Sequence, residues 1–356
     1  MVFDTEIMAQ LREKYANVPD FRVPTIVFLD RSDELAGERA WIEEIIESIP
    51  ISVRKDWIAR LLSVDHTQHK GVWFQMLLTP WLQQVGQTVV EPTISGNNPD
   101  FLVRVGEQEI VVEARAFLVD EAKREREIRD HEVIWILNEI QRPYAVTIKK
   151  LNLTTQVDPD SFRTQVVEWL DKTPDDTFRY EDRTGNHIVL TAQHSASFGK
   201  VGTLGPTRMF RGDSSSLKSP LRKKAGQHQA IRGTGYPYVI AIYLEDRTRS
   251  AKQVVEAWFG KEEAIVDVES DTVIDQRIDL SGIHFFSNDV LHTSVSGTLV
   301  FRAIFDGPLQ RHRLRAWYIQ NPFAKQPIDP TIFPVEARFV VKEQTSNSYR
   351  MQWEHT

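Results

Sequence analysis

Apolar residues recur along this chain with two alternating periods, and the changes of period mark out its elements. Over residues 1 to 69 the period is helical, with amphipathic segments predicted around Glu6 to Tyr15 and Glu34 to Ile49, separated by VPDFRVPT with Pro19 and Pro24. From Val72 to Val85 the run is apolar almost all round, as a buried helix would be; Pro80 is expected to start, kink or divide it and Gly86 to end it. The period then falls to two. QTVVEPTI reads as a strand, and NNPDFLVRVGEQEIVVEARAF as a hairpin.

Residues 120 to 142 mix acids and bases at helical spacing, which predicts an exposed charged face with an apolar one behind it. YAVTIKKLNLTT follows as strand, SFRTQVVEWLDK as helix and HIVLTAQH as strand. Residues 116 to 200 are taken as an insertion. The stretch from 202 to 235 is poor in apolar residues, and its GDSSSLKS is read as loop. YPYVIAIYL is then a buried strand and SAKQVVEAWFG a helix closed by Gly260. The tail from 261 to 356 alternates short strand-like runs such as GTLVFRAIF and RLRAWYIQ, so it is expected to be a β-rich extension.

The hairpin carries the clearest chemistry. If Gly106 and Glu107 form a two-residue turn, Asp100 stands opposite Glu113, Leu102 opposite Val111 and Arg104 opposite Glu109, with Phe101, Val103, Ile110 and Val112 making an apolar reverse face. Asp100, Glu113 and Arg115 then share one face. Two carboxylates about 5 Å apart on adjacent strands repel unless a proton or cation lies between them. Mg²⁺ (or Mn²⁺) suits such hard oxygen donors, and Arg115 would stabilise charge building on a phosphate. A Pro-Asp turn and a Glu-x-Arg strand also occur without chemistry, so spacing alone leaves both readings open.

Composition narrows the choice. With 41% apolar and 26% charged residues, nine Trp and eighteen Phe, the chain can build a sizeable core. It has no cysteine, which removes disulfides, thiolate nucleophiles and Cys-ligated zinc. No run is apolar enough for a membrane helix and the start lacks a signal-peptide plan, so a soluble, cytoplasmic protein without membrane contact is expected. The net charge of −7 argues against indiscriminate nucleic-acid binding. One local island is cationic: between Gly202 and Gly235, Arg208, Arg211, Lys218, Arg222, Lys223, Lys224 and Arg232 face a single acid, Asp213. It is expected to contact phosphates, the alternative being a solvated loop. His66 and His69 stand at i,i+3 without a third ligand nearby and read as surface residues. Nucleotide-binding glycine motifs are absent.

The helix before the strands, PDFLV with Pro99 and Asp100, and IVVEAR with Glu113, Ala114 and Arg115 together resemble the PD-(D/E)XK superfamily, the restriction-endonuclease-like nucleases. LRKKAGQHQ and YPYVIAI resemble the later helix and strand of that αβββαβ core, so the resemblance covers about residues 70 to 118 and 217 to 260. It implies an α/β fold with a nuclease-like core over 70 to 260, an α/β insertion, an N-terminal helical part and the β-rich extension. Asp100 and Glu113 would be the metal ligands, and Arg115 would stand in the place of the family lysine. Gln75 would replace an acid that the family's helix often contributes. Lys223 or Lys224 would supply a displaced lysine, with Gln227 one turn on. The activity so implied is Mg²⁺-dependent hydrolysis of DNA in a defence, repair or mobile-element setting. The rival expectation is a catalytically silent nucleic-acid-binding or partner-docking module. Self-association as a homodimer and membership of a larger complex both stay open.

Overall fold

The computed structural model describes residues 1–119, 121–195, 201–204, 215–227, 235–246, 249–260, 262–267, 272–278, 282–283, 285–286, 289–304, 313–344 and 349–356. The chain divides into two compact units, one of residues 1–16, 24–118 and 211–356, the other of residues 17–23 and 119–210.

Four helices open the first unit: α1 (Glu6–Lys14), α2 (Thr25–Arg31), α3 (Ala36–Ser48) and α4 (Ile51–Leu61). Two of them, α2 and α4, begin directly after Pro24 and Pro50, whose fixed φ suits a helix entry; the spacing of apolar residues marks neither. Next comes α5 (His66–Val85), capped by the Asp65 carboxylate on the Thr67 amide. It runs unbroken through Pro80, and the Thr79 hydroxyl donates to the Gln75 carbonyl. Its all-round apolarity reflects burial of most of its length, Val72 to Leu78 among it.

Among the described residues the main sheet of this unit has eight strands. In chain order they are β1 (Gln87–Val90), β2 (Phe101–Val105), β3 (Gln108–Phe117), β8 (Tyr238–Leu244), β13 (Gly297–Ile304), β14 (Arg313–Gln320), β15 (Ala337–Gln344) and β16 (Tyr349–His355), and they lie side by side in that order. β3, β8 and β13 run parallel. Every residue of β8 is buried, as a central strand covered on both faces must be. The mixed α/β class is as expected. Four strands of the tail, β13 to β16, however, prolong the core sheet, β13 pairing directly with β8, because edge pairing satisfies backbone groups that a buried strand would otherwise leave open.

On one face α5 packs with Phe74 stacked 5.5 Å from Tyr243 and Trp81 edge-on 4.8 Å from Phe301. On the other, Val111, Tyr238, Ile240 and Ile242 meet Leu217, Leu221 and Ala225 of α8 (Ser215–Gln227) and Val254, Ala257 and Trp258 of α9 (Ala251–Phe259). α8 begins inside GDSSSLKS, expected to be loop; Leu217 and Leu221 give it a buried stripe that outweighs the weak helix propensity of its serines. A Ser250–Gln253 capping box starts α9. Two short hairpins complete the described part of this unit: β9 (Glu262–Asp267) with β10 (Thr272–Ile278), and β11 (Phe285–Phe286) with β12 (Asp289–Val290).

The second unit is an α/β layer of its own. Its sheet has the order β5 (Phe178–Glu181), β6 (His187–His194), β4 (Tyr144–Asn152), β7 (Gly202–Leu204), covered by α6 (Glu121–Asn138) and α7 (Pro159–Lys172). Residues 17–23 join it through Arg22, which pairs with the buried Glu132. β5 and β7 are too short to show a period in the sequence.

Gly86 ends α5 through contact, not through a left-handed turn, since its φ of −178° is ordinary extended backbone. A Cβ there would stand 2.2 Å from the Arg104 carbonyl oxygen. Gly86→Ala should therefore push α5 off the hairpin and cost about 1–3 kcal/mol, read as a lowered urea midpoint at unchanged slope. An unchanged midpoint would show that the helix and β2 are free to separate.

Candidate active site

The hairpin has the register that alternation requires: Phe101 pairs with Val112, Leu102 with Val111 and Arg104 with Glu109, closed by Gly106 at φ +59°. Asp100 precedes β2, and its carboxylate accepts from the Ala114 amide at 2.7 Å, which brings it alongside Glu113. The two carboxyls are within hydrogen-bonding reach of each other.

Lys224 answers them. Its Nζ donates to Glu113 Oε2 at 2.7 Å and lies 3.9 Å from Asp100 Oδ2. Helix phase explains the choice among three consecutive bases. Leu217, Leu221 and Ala225 form the buried stripe of α8, and Lys224 is seven residues beyond Leu217 on the margin of that stripe. Arg222 and Lys223 fall on the other side and are exposed. Tyr238 fastens the helix end by donating its hydroxyl to the Lys224 carbonyl at 3.2 Å.

On the other flank, Gln75 of α5 donates its amide to Asp100 Oδ1 at 2.5 Å and accepts from Arg60 at 2.9 Å. Because a guanidinium can only donate, Arg60 dictates which end of the Gln75 amide faces Asp100. The Asp100 carbonyl in turn accepts from the Glu91 amide at 2.9 Å, and the Glu91 carboxylate accepts from Trp57 Nε1 at 2.8 Å. Both Trp57 and Arg60 belong to α4, whose buried residues Val53, Trp57 and Leu61 fix its phase. No motif in the sequence marks either residue, although Arg60 lies three residues after a buried Trp on an amphipathic helix.

The remaining candidates are placed as follows. Arg115 is exposed, two residues beyond Glu113 on the same strand, and Lys223 is exposed on α8, so the cation at the acids is Lys224. Lys218 is partly buried on α8. Arg208, Arg211 and Arg232 lie outside the described residues, as does the side chain of Gln227. His69, expected at the surface, is buried, with Nδ1 against the Leu61 carbonyl at 2.7 Å; burial lowers its pKa to about 4 and keeps it neutral. His66 pairs with Glu245 at 3.2 Å.

Burial and the neighbouring Asp100 charge push the Glu113 pKa up to about 7, against a smaller opposing pull from Lys224. Burial penalises the charged form, and a second carboxyl alongside penalises it further. Asp100 and Glu113 could together offer hard oxygen donors, while the Gln75 oxygen is turned to Arg60; among the described residues no group of three or more His, Asp or Glu side chains gathers around one point. Two carboxylates suit Mg²⁺, which keeps several waters and takes phosphate oxygens, rather than a cation needing a full protein cage.

A raised carboxyl pKa has a definite effect on stability. Below about pH 4.5 Glu113 is protonated in both folded and unfolded chains. Between there and about 7 only the folded chain holds the proton, so stability falls as pH rises through that window. In EDTA, Glu113→Gln should flatten that fall and be more stable than the parent at pH 8 by roughly 1–3 kcal/mol, measured by urea unfolding across pH. Parallel pH profiles for the two proteins would show that Glu113 titrates normally.

Compared in turn with family models, with curated proteins and with solved structures, the chain gives no match.

Proposed function

We propose that the first unit is a Mg²⁺-dependent nuclease of PD-(D/E)XK type, hydrolysing phosphodiester bonds in DNA. The observation that carries this reading is the convergence of Asp100, Glu113 and Lys224 from a loop, a strand and a helix onto one point of the sheet. When bound, Mg²⁺ would polarise the phosphodiester and lower the pKa of a water to give the nucleophile. Asp100 and Glu113 would hold it, with Asp100 oriented by the Ala114 amide and by Gln75. Lys224, half-buried and already beside both acids, supplies a fixed positive charge for the phosphate oxygens as charge grows on them. Arg222 and Lys223 on the exposed side of α8 would meet backbone phosphates farther along the strand. Gln75, an amide where an acid is common in such sites, favours a second reading, a nucleic-acid-binding module that does not cleave.

Nicking of supercoiled plasmid in Mg²⁺, compared with EDTA, separates the two. Asp100→Asn, Glu113→Gln and Lys224→Ala should each lower the rate by about 10²-fold or more, while Arg115→Ala keeps most of it. No metal-dependent nicking by the parent, or full activity in Asp100→Asn, would overturn the nuclease reading; binding without nicking supports the module.

Replacing both Arg222 and Lys223 by alanine should weaken binding equally on all sequences. It should also flatten the plot of log affinity against log salt by about 0.9 for each duplex phosphate that the protein no longer neutralises. An unchanged slope would place the phosphate-binding surface elsewhere.

A further inference from the structure

The face that bears the acids also carries an open cleft of about 460 Å³, lined by Val89, Pro92, Ile94, Leu102, Arg104, Glu109 and Tyr236 among others. Pairing fixes where it lies. Val89 pairs with Leu102, Leu102 with Val111, and Val111 with Tyr238, so these four make one row across the sheet. The next row on the same face is Arg104 with Glu109, whose carboxylate also accepts from the Tyr236 hydroxyl. Asp100 and Glu113 begin the row on the opposite side. Four residues along a strand therefore separate the Arg104–Glu109 row from the acids, about 13 Å.

We infer that this cleft is a nucleobase subsite, receiving one unpaired base of the strand whose phosphate lies at Asp100, Glu113 and Lys224. The inference rests on the nuclease reading of the same face and adds to it a substrate preference for single-stranded or locally opened nucleic acid. Its volume is that of a small-molecule pocket and suits a single nucleoside. The floor of Val89 and Leu102 is apolar, and Pro92, Ile94 and the half-buried Tyr236 ring offer flat or apolar walls, the surroundings in which bases stack. At the rim, the Arg104 guanidinium and Glu109 carboxylate, 2.6 Å apart, present donors and acceptors at the same level, the complement of a base edge.

The wall is built to stay open. Residues 91 to 98 fold back through the Ile94–Asn97 bridge and a Thr93–Asn98 side-chain hydrogen bond of 3.0 Å. Two non-glycine residues there, Glu91 at φ +46° and Ser95 at φ +49°, are held in left-handed backbone. Such strain persists only where its surroundings enforce it, and here Trp57 and Asp100 both hold Glu91. The segment that shapes the cleft is thereby tied to the segment that positions the catalytic acid.

The test uses the full chain in EDTA, so that binding is read without cleavage, with single-stranded oligonucleotides carrying one 2-aminopurine and with duplexes of the same sequence. The parent should bind the single strand more tightly and quench the probe at one position. Tyr236→Ala should lower single-strand affinity about tenfold and abolish the quenching, whereas Tyr236→Phe keeps both, since the ring does the stacking. Glu109→Gln should reorder affinities among oligonucleotides of dA, dC, dG and dT instead of weakening all alike. Circular dichroism of each variant excludes misfolding as the cause. Parent-like binding and quenching by Tyr236→Ala, or equal weakening on single strand and duplex, would overturn the subsite while leaving plasmid nicking, and so the nuclease reading, intact. Base stacking by a parent that never nicks in Mg²⁺ would do the reverse.

Discussion

Two carboxyl groups on one hairpin face, held against their own repulsion by a single lysine amine, are the constraint from which the arrangement of the first unit follows. Asp100 and Glu113 stand together because the hairpin register and the Ala114 amide leave them no other place. Their partner cannot come from the hairpin, whose nearest cation on the same face, Arg115, points to solvent. It comes from α8, more than a hundred residues later, and the contact forms only if β8 lies parallel to β3 with Tyr238 level with Val111. Nonlocal strand pairing thus sets a distance of 2.7 Å between side chains from remote parts of the chain.

What the sequence disclosed and what it hid divide along that line. The hairpin could be derived because alternation and a turn glycine are local: a slip of one residue would have moved Phe101, Val103, Ile110 and Val112 to the polar face. The insertion's helices, the buried α5 and the capped α9 were legible for the same reason. The sequence places Arg115 beside the acids and offers Lys223 or Lys224 only as a displaced lysine, although the stripe of Leu217, Leu221 and Ala225 points to Lys224 once α8 is extended back to Ser215. Reading GDSSSLKS as loop concealed that stripe. Arg60 was hidden for a different cause, since its part depends on how α4 packs on α5, and no periodicity within α4 reports on that. The union of the tail with the core sheet was likewise invisible, because alternation tells which face of a strand is apolar and not which strand lies beside it.

The support behind Asp100 is asymmetric. From within the sheet it receives one backbone amide, a hydrogen bond that any residue at position 114 other than proline would supply. From the helical side it receives the chain Arg60, Gln75, and beside it Trp57 and Glu91, each link a side chain of defined chemistry. The N-terminal helices are therefore more than a cover for the sheet: α4 carries two of the groups that hold the acidic loop. A unit trimmed to the hairpin, α8 and β8 would retain the acids without the groups that aim one of them.

If the proposed nucleic-acid ligand is right, an acidic protein must concentrate its positive charge where that polyanion goes, and the phase of α8 sorts its bases accordingly. One side of the helix lies on the sheet through leucines, and Lys224 sits at the edge of that side with its amine on the acids. Lys223 and Arg222, one and two residues earlier, are turned to solvent, because consecutive helical residues are about 100° apart. In the nuclease reading, the groups that meet phosphates and the group that meets the acids ride on one rigid element, so a strand seated on the first pair is registered against the third. The helix can serve both ends only in this phase: rotating it by one residue to bring Lys223 to the acids would at the same stroke put Pro220 in place of Leu221 and bury Lys224 in place of Ala225. Packing of the apolar stripe, not attraction between charges, is what selects the lysine that meets the acids.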